Sequence, residues 1–250
     1  MELKGSVAIV TGGTGGLGGQ VCRALAEVGT KLVVIYINSE AEAQDLTARL
    51  SGMGTAKAVA VRADLTTQAG VDAMLRATLE AFGRVDSLIN TAGYNQLIPF
   101  RDLDTLDEAT WNHMMQCNLT GPYLAMRAVA PIMKQQGQGR IVNVTSIAGL
   151  APMGSSIAYA VSKAGLTHLT RCMAVALAPE VLVNSVAPGM MEGTRMGKNL
   201  GPEAAKNYRA ASALNRTPGI PDVVAAVMML VRTDSITGQT LAVDAGRVYH

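Results

Sequence analysis

The chain has 250 residues, 16% of them charged, 49% hydrophobic, with a formal net charge of +2. That length allows one or two domains. The near balance of charge, without a basic run or acidic tail, gives no sign of a nucleic-acid surface.

The apolar run 6–10 reads as a buried parallel strand. It leads directly into Thr11-Gly12-Gly13-Thr14-Gly15-Gly16-Leu17-Gly18 and then a helical pattern over 16–28, with Leu17, Val21, Leu25 and Val28 near helical spacing. Strand, glycine-rich turn and helix together can cradle a phosphate, because glycines admit close backbone approach and the helix start offers free N–H groups. Further strands are predicted at 31–36, 56–62, 85–90, 139–145, 181–187 and 239–243, and helices at 39–51, 67–82, 105–133, 156–178 and 221–232. Such alternation implies right-handed βαβ units and an α/β, doubly wound, Rossmann-type fold, with a seven-stranded parallel sheet covered by helices on both faces. No linker or internal repeat divides the chain, so 1–250 is expected to form one domain. Thr11–Gly18, Asp64, Asn90–Gly93, Thr145-Ser146 and Pro188-Gly189 each follow a predicted strand. A parallel sheet brings all of them to its carboxyl edge, where ligands bind.

Tyr159 and Lys163 stand four residues apart, one helical turn, so a helix puts phenol and ammonium on one face. A tyrosine pKa of about 10 makes a poor base at neutral pH, and lowering it by roughly three units takes about 4 kcal/mol. A lysine, a cationic cofactor ring and a dry pocket together are expected to hold the phenol down. The three cysteines, Cys22, Cys117 and Cys172, are unpatterned and read as reduced, mostly buried thiols. His113, His168 and His250 lack metal-ligand spacing, so no metal is expected. The N-terminus has no signal-peptide pattern and no apolar stretch is long enough to span a bilayer, so a cytoplasmic protein without membrane partner is expected.

These motifs resemble the short-chain dehydrogenase/reductase family in its short single-domain branch. The glycine pattern TGxxxGxG falls on Thr11, Gly12, Gly16 and Gly18, the acidic-apolar pair that flanks adenine on Asp64-Leu65, and NNAG on Asn90-Thr91-Ala92-Gly93, with Thr91 replacing the second Asn. The helix-borne active-site Asn falls on Asn118, the catalytic Ser on Ser146, YxxxK on Tyr159 and Lys163, and the PG turn on Pro188-Gly189. The resemblance covers nearly the whole chain, in the family's order, and looks closest to the 3-oxoacyl-carrier-protein reductase-like group.

The resemblance implies strand order 3-2-1-4-5-6-7 and an NAD(P)-dependent oxidoreductase that interconverts a ketone and a secondary alcohol. A 3-oxoacyl-type or related carbonyl reductase is the first reading and a sugar or polyol dehydrogenase the second. A non-catalytic cofactor sensor would typically have lost Tyr159 or Lys163. Tyr159 is the proton donor or acceptor, Ser146 supports the oxygen, Lys163 stabilises the phenolate and contacts the cofactor ribose, and Asn118 holds a relay water. Cofactor contacts are expected from Gly12, Thr14, Gly15, Gly16, Leu17, Gly18, Tyr36, Asn38, Ser39, Asp64, Leu65, Asn90, Ala92, Gly93, Tyr159, Lys163, Pro188, Gly189, Met191 and Thr194. Thr194 lies one residue later than the family's Thr. Segment 190–216 is the expected substrate lid, with Met190, Met191, Met196 and Leu200 as its apolar lining and its glycines a source of mobility. Arg101, Arg195 and Lys198 are candidates to meet an acidic acyl carrier.

The end of the second strand is Tyr36, where NAD-selective sites carry an acid. Its absence favours NADP(H) over NAD(H), although no Arg or Lys occupies 36–39 and Gly15 stands where NADP-dependent relatives often carry a base. The helices near 105–133 and 156–178 carry Met114, Met115, Leu124, Met126 and Val129 on one and Leu166, Leu169, Met173, Val175 and Leu177 on the other. Such a surplus of apolar surface, and the family's habit, predict a homotetramer with the C-terminal strand and tail as the second contact.

Overall fold

The apolar runs become strands buried on both faces, and alternate residues feed two cores: Ala8 and Val10 of the first strand face one, Ile9 the other. In the computed structural model, which describes residues 1–53 and 57–249, the elements are β1 (Val7–Thr11), α1 (Gly16–Glu27), β2 (Lys31–Tyr36), α2 (Glu40–Ser51), β3 (Ala58–Arg62), α3 (Gln68–Phe82), β4 (Ser87–Asn90), α4 (Glu108–Met115), α5 (Gly121–Gln135), β5 (Gly139–Val144), α6 (Ile157–Leu177), β6 (Val181–Pro188), α7 (Arg195–Ala210), α8 (Ile220–Arg232) and β7 (Thr240–Val243). All strands are parallel, in the order β3-β2-β1-β4-β5-β6-β7. Chain direction across the sheet reverses between β1 and β4, and that crevice is the switch point. Leu17, Val21 and Leu25 of α1 meet Val223, Val227 and Val231 of α8 on one face. Met74, Met126, Val129 and Val183 fill the other. No helix among the described residues is long and apolar enough to cross a membrane.

Three expectations change. The helix predicted over 105–133 is interrupted by a π-helical turn, Gln116–Thr120, between α4 and α5. Pro122 has no N–H to give the carbonyl four residues earlier, that of Asn118, and the helix widens there. Segment 190–216, read as a lid and given no helix in the sequence reading, contains α7. Thr194 caps it by accepting from the Gly197 N–H at 3.0 Å, and Gly201 (φ 79°, ψ 170°) breaks it before Pro202 restarts the helix. The apolar surplus on the helices predicted to form the interface is also smaller than expected. Met114, Met126, Val129, Leu166 and Leu177 belong to the protomer's own core, while Val175 is 83% exposed. Residue 56 of the predicted strand 56–62, and His250, lie outside the described residues.

At the opposite, amino edge of the sheet, the buried Asp86 carboxylate accepts from the Val7 N–H and from Arg84 Nε, both at 2.8 Å, and so holds the start of β1 against β4. Asp86→Ala leaves a buried N–H without its acceptor and is expected to cost about 2 kcal/mol. Urea denaturation should show that loss, with turnover per folded molecule unchanged because the change lies far from the carboxyl edge.

Candidate active site

The β1–α1 loop touches the loop after β4 so closely that two glycines are obligatory. A Cβ on Gly12 (φ 61°) would lie 2.9 Å from Ala92 Cα, and one on Gly18 would lie 2.3 Å from the Gly12 carbonyl oxygen. Thr91 fastens the contact: its hydroxyl donates to the Thr11 carbonyl, and the Ala92 N–H donates to Thr11 Oγ1 at 3.1 Å. Gly15 and Gly16 are exposed. Gly15 is the N-cap of α1, offers no side chain to its first turn, and no acidic residue lies in that turn. By contrast, Thr67, Asp107, Ser156 and Thr194 cap α3, α4, α6 and α7 with side-chain oxygens. The first-turn N–H groups of α1 have no acceptor within the helix. A backbone cradle without side chains, charge-compatible with an anion, fits the pyrophosphate of a dinucleotide.

The adenosine end of such a ligand would fall beyond β2 and β3. Tyr36 is 8% exposed, Asn38 exposed and Ser39 half-buried. Asp64 Oδ1 accepts from the Thr66 N–H at 3.0 Å and its hydroxyl at 2.7 Å. Leu65 follows, half-buried. Asn90 is turned into the protein instead: its amide donates to Asn143 Oδ1 at 2.8 Å, and Asn143 donates to Thr170 Oγ1 at 3.0 Å. Any ligand contact at Asn90 is therefore left to its backbone.

At the end of β5 and the start of α6 the reacting groups meet. Ser156 caps α6 by accepting from the Tyr159 N–H at 3.1 Å. Lys163 Nζ donates to the Val144 carbonyl at 2.9 Å, which fixes α6 to the last residue of β5. Ser146 Oγ accepts from the Ala148 N–H at 3.1 Å, so its own proton is free to donate, and the hydroxyl stands close enough to the Tyr159 phenol to oppose its upward shift. Asn118 is fully buried on the π-helical turn. Its side chain donates to the Tyr94 carbonyl at 2.9 Å and to Ser162 Oγ at 3.0 Å, and accepts from the Tyr94 N–H at 2.8 Å. Every polar atom of that amide thus has a protein partner. Gly93 is the meeting point: a Cβ there would lie 3.2 Å from Asn118 Oδ1, 3.2 Å from Met196 Cε and 3.5 Å from Lys163 Nζ.

Burial pushes the Lys163 ammonium down to about 8 and pushes the Tyr159 phenol up, with the Ser146 hydrogen bond opposing the second shift. The protein's own groups thus raise the phenol, and the lowering expected above needs the cationic cofactor ring as well. Lys163 is 3% exposed and Nζ lies 5.9 Å from the centre of the Tyr159 ring. At that separation desolvation of both groups outweighs their attraction.

Pro188 pairs with Val243 on the last rung of the sheet, and the Gly189 N–H donates to the Val243 carbonyl at 2.9 Å. Thr194 lies against the glycine loop, its Cα 3.6 Å from where a Gly16 Cβ would be. Its hydroxyl is committed, donating to the Met191 carbonyl at 2.9 Å while capping α7. Met191, partly buried, packs against the core. A residue the sequence reading did not single out, Tyr208, anchors α7. Its hydroxyl donates to the Asp244 carbonyl at 2.6 Å and occupies the space a side chain at position 189 would need. Among the cysteines Cys22 is buried as expected, but Cys117 is half-buried and Cys172 exposed, because Cys172 lies on the outward face of α6. No group of three or more His, Cys, Asp or Glu among the described residues could hold a metal.

A phosphate cradle at the switch point and a Ser-Tyr-Lys cluster beside it define a nicotinamide-dependent oxidoreductase on a Rossmann-type sheet. The short chain dehydrogenase family model matches residues 6–205. The chain belongs to that family and is an NAD(P)-dependent enzyme. It is 38% identical over 242 residues to ketoacyl reductase 2 assigned to the granaticin polyketide synthase of Streptomyces violaceoruber, covering 96% of this chain and 95% of that protein. It is 36% identical over 251 residues to the 3-oxoacyl-[acyl-carrier-protein] reductase of a Synechocystis strain, covering 98% of each. The crystal structure of an NADPH-dependent 3-quinuclidinone reductase from Rhodotorula rubra superposes with a TM-score of 0.90 at 27% identity, covering 98% of this chain and 92% of that one.

The depressed Lys163 ammonium sets a stability test. At neutral pH the folded state holds a buried charge at a cost of about 3 kcal/mol, from a shift of 10.5 to about 8. Between those two values the unfolded chain binds more protons, so this group makes stability rise with pH across that window. Lys163→Met should be more stable than the wild type at pH 7 by about 2 kcal/mol, after loss of the Val144 hydrogen bond. The gap should shrink toward pH 10. Paired urea titrations at the two pH values measure it.

Proposed function

We propose that the chain is an NADP(H)-preferring reductase of 3-oxoacyl-type ketones, working through Ser146, Tyr159 and Lys163. The observation that carries this reading is the Ser146 hydroxyl acting on the Tyr159 phenol beside the buried Lys163, at the carboxyl edge next to the open glycine cradle. A bound nicotinamide supplies the hydride and, when oxidised, a positive charge near the phenol. Tyr159 delivers its proton to the carbonyl oxygen in reduction and takes it back in oxidation. The Ser146 hydroxyl, its acceptor side held by the Ala148 N–H, donates to the same oxygen as charge grows there. Lys163 lowers the energy of the phenolate left behind. Asn118 positions rather than reacts: its filled hydrogen bonds fix Tyr94 and Ser162, one on each side of the site.

Names of the relatives support the 3-oxoacyl substrate class, and the absence of an acid at Tyr36 supports NADP(H). We read residues 190–216 as the substrate lid, with Met196 over Gly93 as its inner face. The exposed Val175, Val161 and Tyr123 on α6 and α5 support a homotetramer built on those helices, although the patch is smaller than the sequence suggested. Exposed Arg101, Arg195 and Lys198 are suited to an acidic carrier.

Initial rates with NADPH and NADH against acetoacetyl-CoA, a 3-oxoacyl thioester, simple cyclic ketones and polyols test the substrate class. Turnover confined to polyols with NAD would overturn it. Tyr159→Phe should lower kcat by at least 10²-fold, as expected for loss of a positioned acid–base group, with cofactor affinity nearly intact. Lys163→Ala should damage both rate and cofactor affinity. More than a tenth of the wild-type rate in Tyr159→Phe would remove that residue from its role.

A further inference from the structure

The sheet register supplies the base that residues 36–39 lack. Tyr36 pairs with Arg62 on the last rung between β2 and β3, so the ends of the two strands lie side by side at the carboxyl edge. Arg62 is exposed. Its Nε donates to the Ile37 carbonyl at 3.1 Å, which draws the guanidinium over the turn between β2 and α2. That bond uses one of five N–H donors in a rigid planar fork and leaves both terminal nitrogens to a ligand. Among the described residues no carboxylate lies within ion-pair distance of Arg62.

The same turn offers further donors. Ser39 is the N-cap of α2, but its hydroxyl makes no capping bond, unlike Thr67, Asp107, Ser156 and Thr194 at their helices. Asn38 is exposed beside it. The acids on the adjoining segments are Glu40 and Glu42 in the first turn of α2 and Asp64 after β3. Glu40 accepts from Gln44 at 3.3 Å, one turn along the helix, and Asp64 Oδ1 is held by Thr66. A half-tethered guanidinium over an uncapped hydroxyl suits a phosphomonoester, since arginine binds phosphate through two parallel hydrogen bonds.

We propose that Arg62 reads the 2′-phosphate of NADP(H), reaching across from β3 to the end of β2, with Ser39 and Asn38 as neutral donors to the same group. This rests on the assignment of the cradle to a dinucleotide and names the residue behind the NADP(H) preference proposed above. Arg62 is a specificity residue here, not a catalytic one.

Isothermal titration of wild type, Arg62→Gln and Arg62→Lys with NADP⁺, NAD⁺, 2′,5′-ADP and 5′-AMP tests it without any turnover. Arg62→Gln is expected to weaken NADP⁺ and 2′,5′-ADP at least tenfold and to leave NAD⁺ and 5′-AMP within twofold. Arg62→Lys should recover part of the loss. Equal weakening of all four ligands would make Arg62 a mere prop for the 37–39 turn and overturn the proposal, as would no change for any of them. The wild-type ratio tests the cofactor preference separately. A wild type that binds NAD⁺ more tightly, yet loses NADP⁺ affinity alone on Arg62→Gln, would overturn the preference and keep the residue. A wild type that favours NADP⁺ with Arg62→Gln unaffected would do the reverse. Melting temperatures of the ligand-free variants, expected to match the wild type because Arg62 is exposed, guard against a folding artefact.

Discussion

A parallel sheet sends every strand out through the same edge, and that constraint builds the site. Each βαβ crossover must return to the opposite edge before the next strand begins, so the segments after β1, β3, β4, β5 and β6 have nowhere to lie but side by side. Proximity then becomes contact only where the backbones can approach. Gly12 and Gly18 let the first of these loops press against Ala92 and Thr91, and Gly93 leaves the space in which Asn118, Lys163 and Met196 face one another. Gly70 plays the same part outside the centre: a Cβ there would stand 2.0 Å from the Asp64 carbonyl oxygen, so α3 can lie directly under the loop after β3. The proposed chemistry rests on Ser146, Tyr159 and Lys163, but glycines decide how near to one another the pieces come.

Polar groups in that crowded place are held by the protein in a way that leaves specific atoms exposed. Asn118 and Asn143 have their amides paired. Thr194 and Thr91 spend their hydroxyls on backbone. Ser146 is treated differently: it accepts from a main-chain N–H, which polarises a hydroxyl that can still donate. Lys163 has one carbonyl partner for three donors and is almost fully buried, which is why its proton is loosely held. Stability is given up at Lys163 and recovered in the network around it, the pattern expected where pKa values are tuned for proton transfer.

Strand content and order were readable because buried parallel strands are apolar throughout, and the glycine loop and Tyr159–Lys163 pair were readable because their spacing is local. What escaped depended on atoms far apart in sequence. The Asn90 amide turns inward because Asn143 stands opposite it on β5, and no pattern in either segment says so. The π-helical turn was concealed by an uninterrupted helical pattern, although Pro122 was a visible warning. Gly197, Gly201 and Pro202 read as breakers, yet Thr194 caps the helix and Pro202 restarts it. The apolar residues of α5 and α6 were counted as surface because their periodicity reports a face without saying whether the protomer itself covers it. A base beside Tyr36 was concealed for a similar reason: Arg62 is 26 residues on, adjacent only once β2 and β3 pair.

The break in α7 gives the proposed lid its mechanics. Residues 195–200 lie on the site side, where Met196 reaches Gly93 and Thr194 lies against the glycine loop. Beyond Gly201 the helix is pinned, Tyr208 to the Asp244 carbonyl and Arg209 to Glu192. Gly201 sits at positive φ, and a Cβ there would meet nothing within 4 Å, so no side chain packs against the break at that point. Opening of the first segment therefore need not disturb the second. The Tyr208 anchor also fills the volume beside Gly189, so the turn after β6 keeps its shape while the segment beyond it moves. In the proposed lid a substrate enters past Met196 without loosening Ser146, Tyr159 or Lys163, whose supports Ala148, Ser156 and Val144 lie outside segment 190–216.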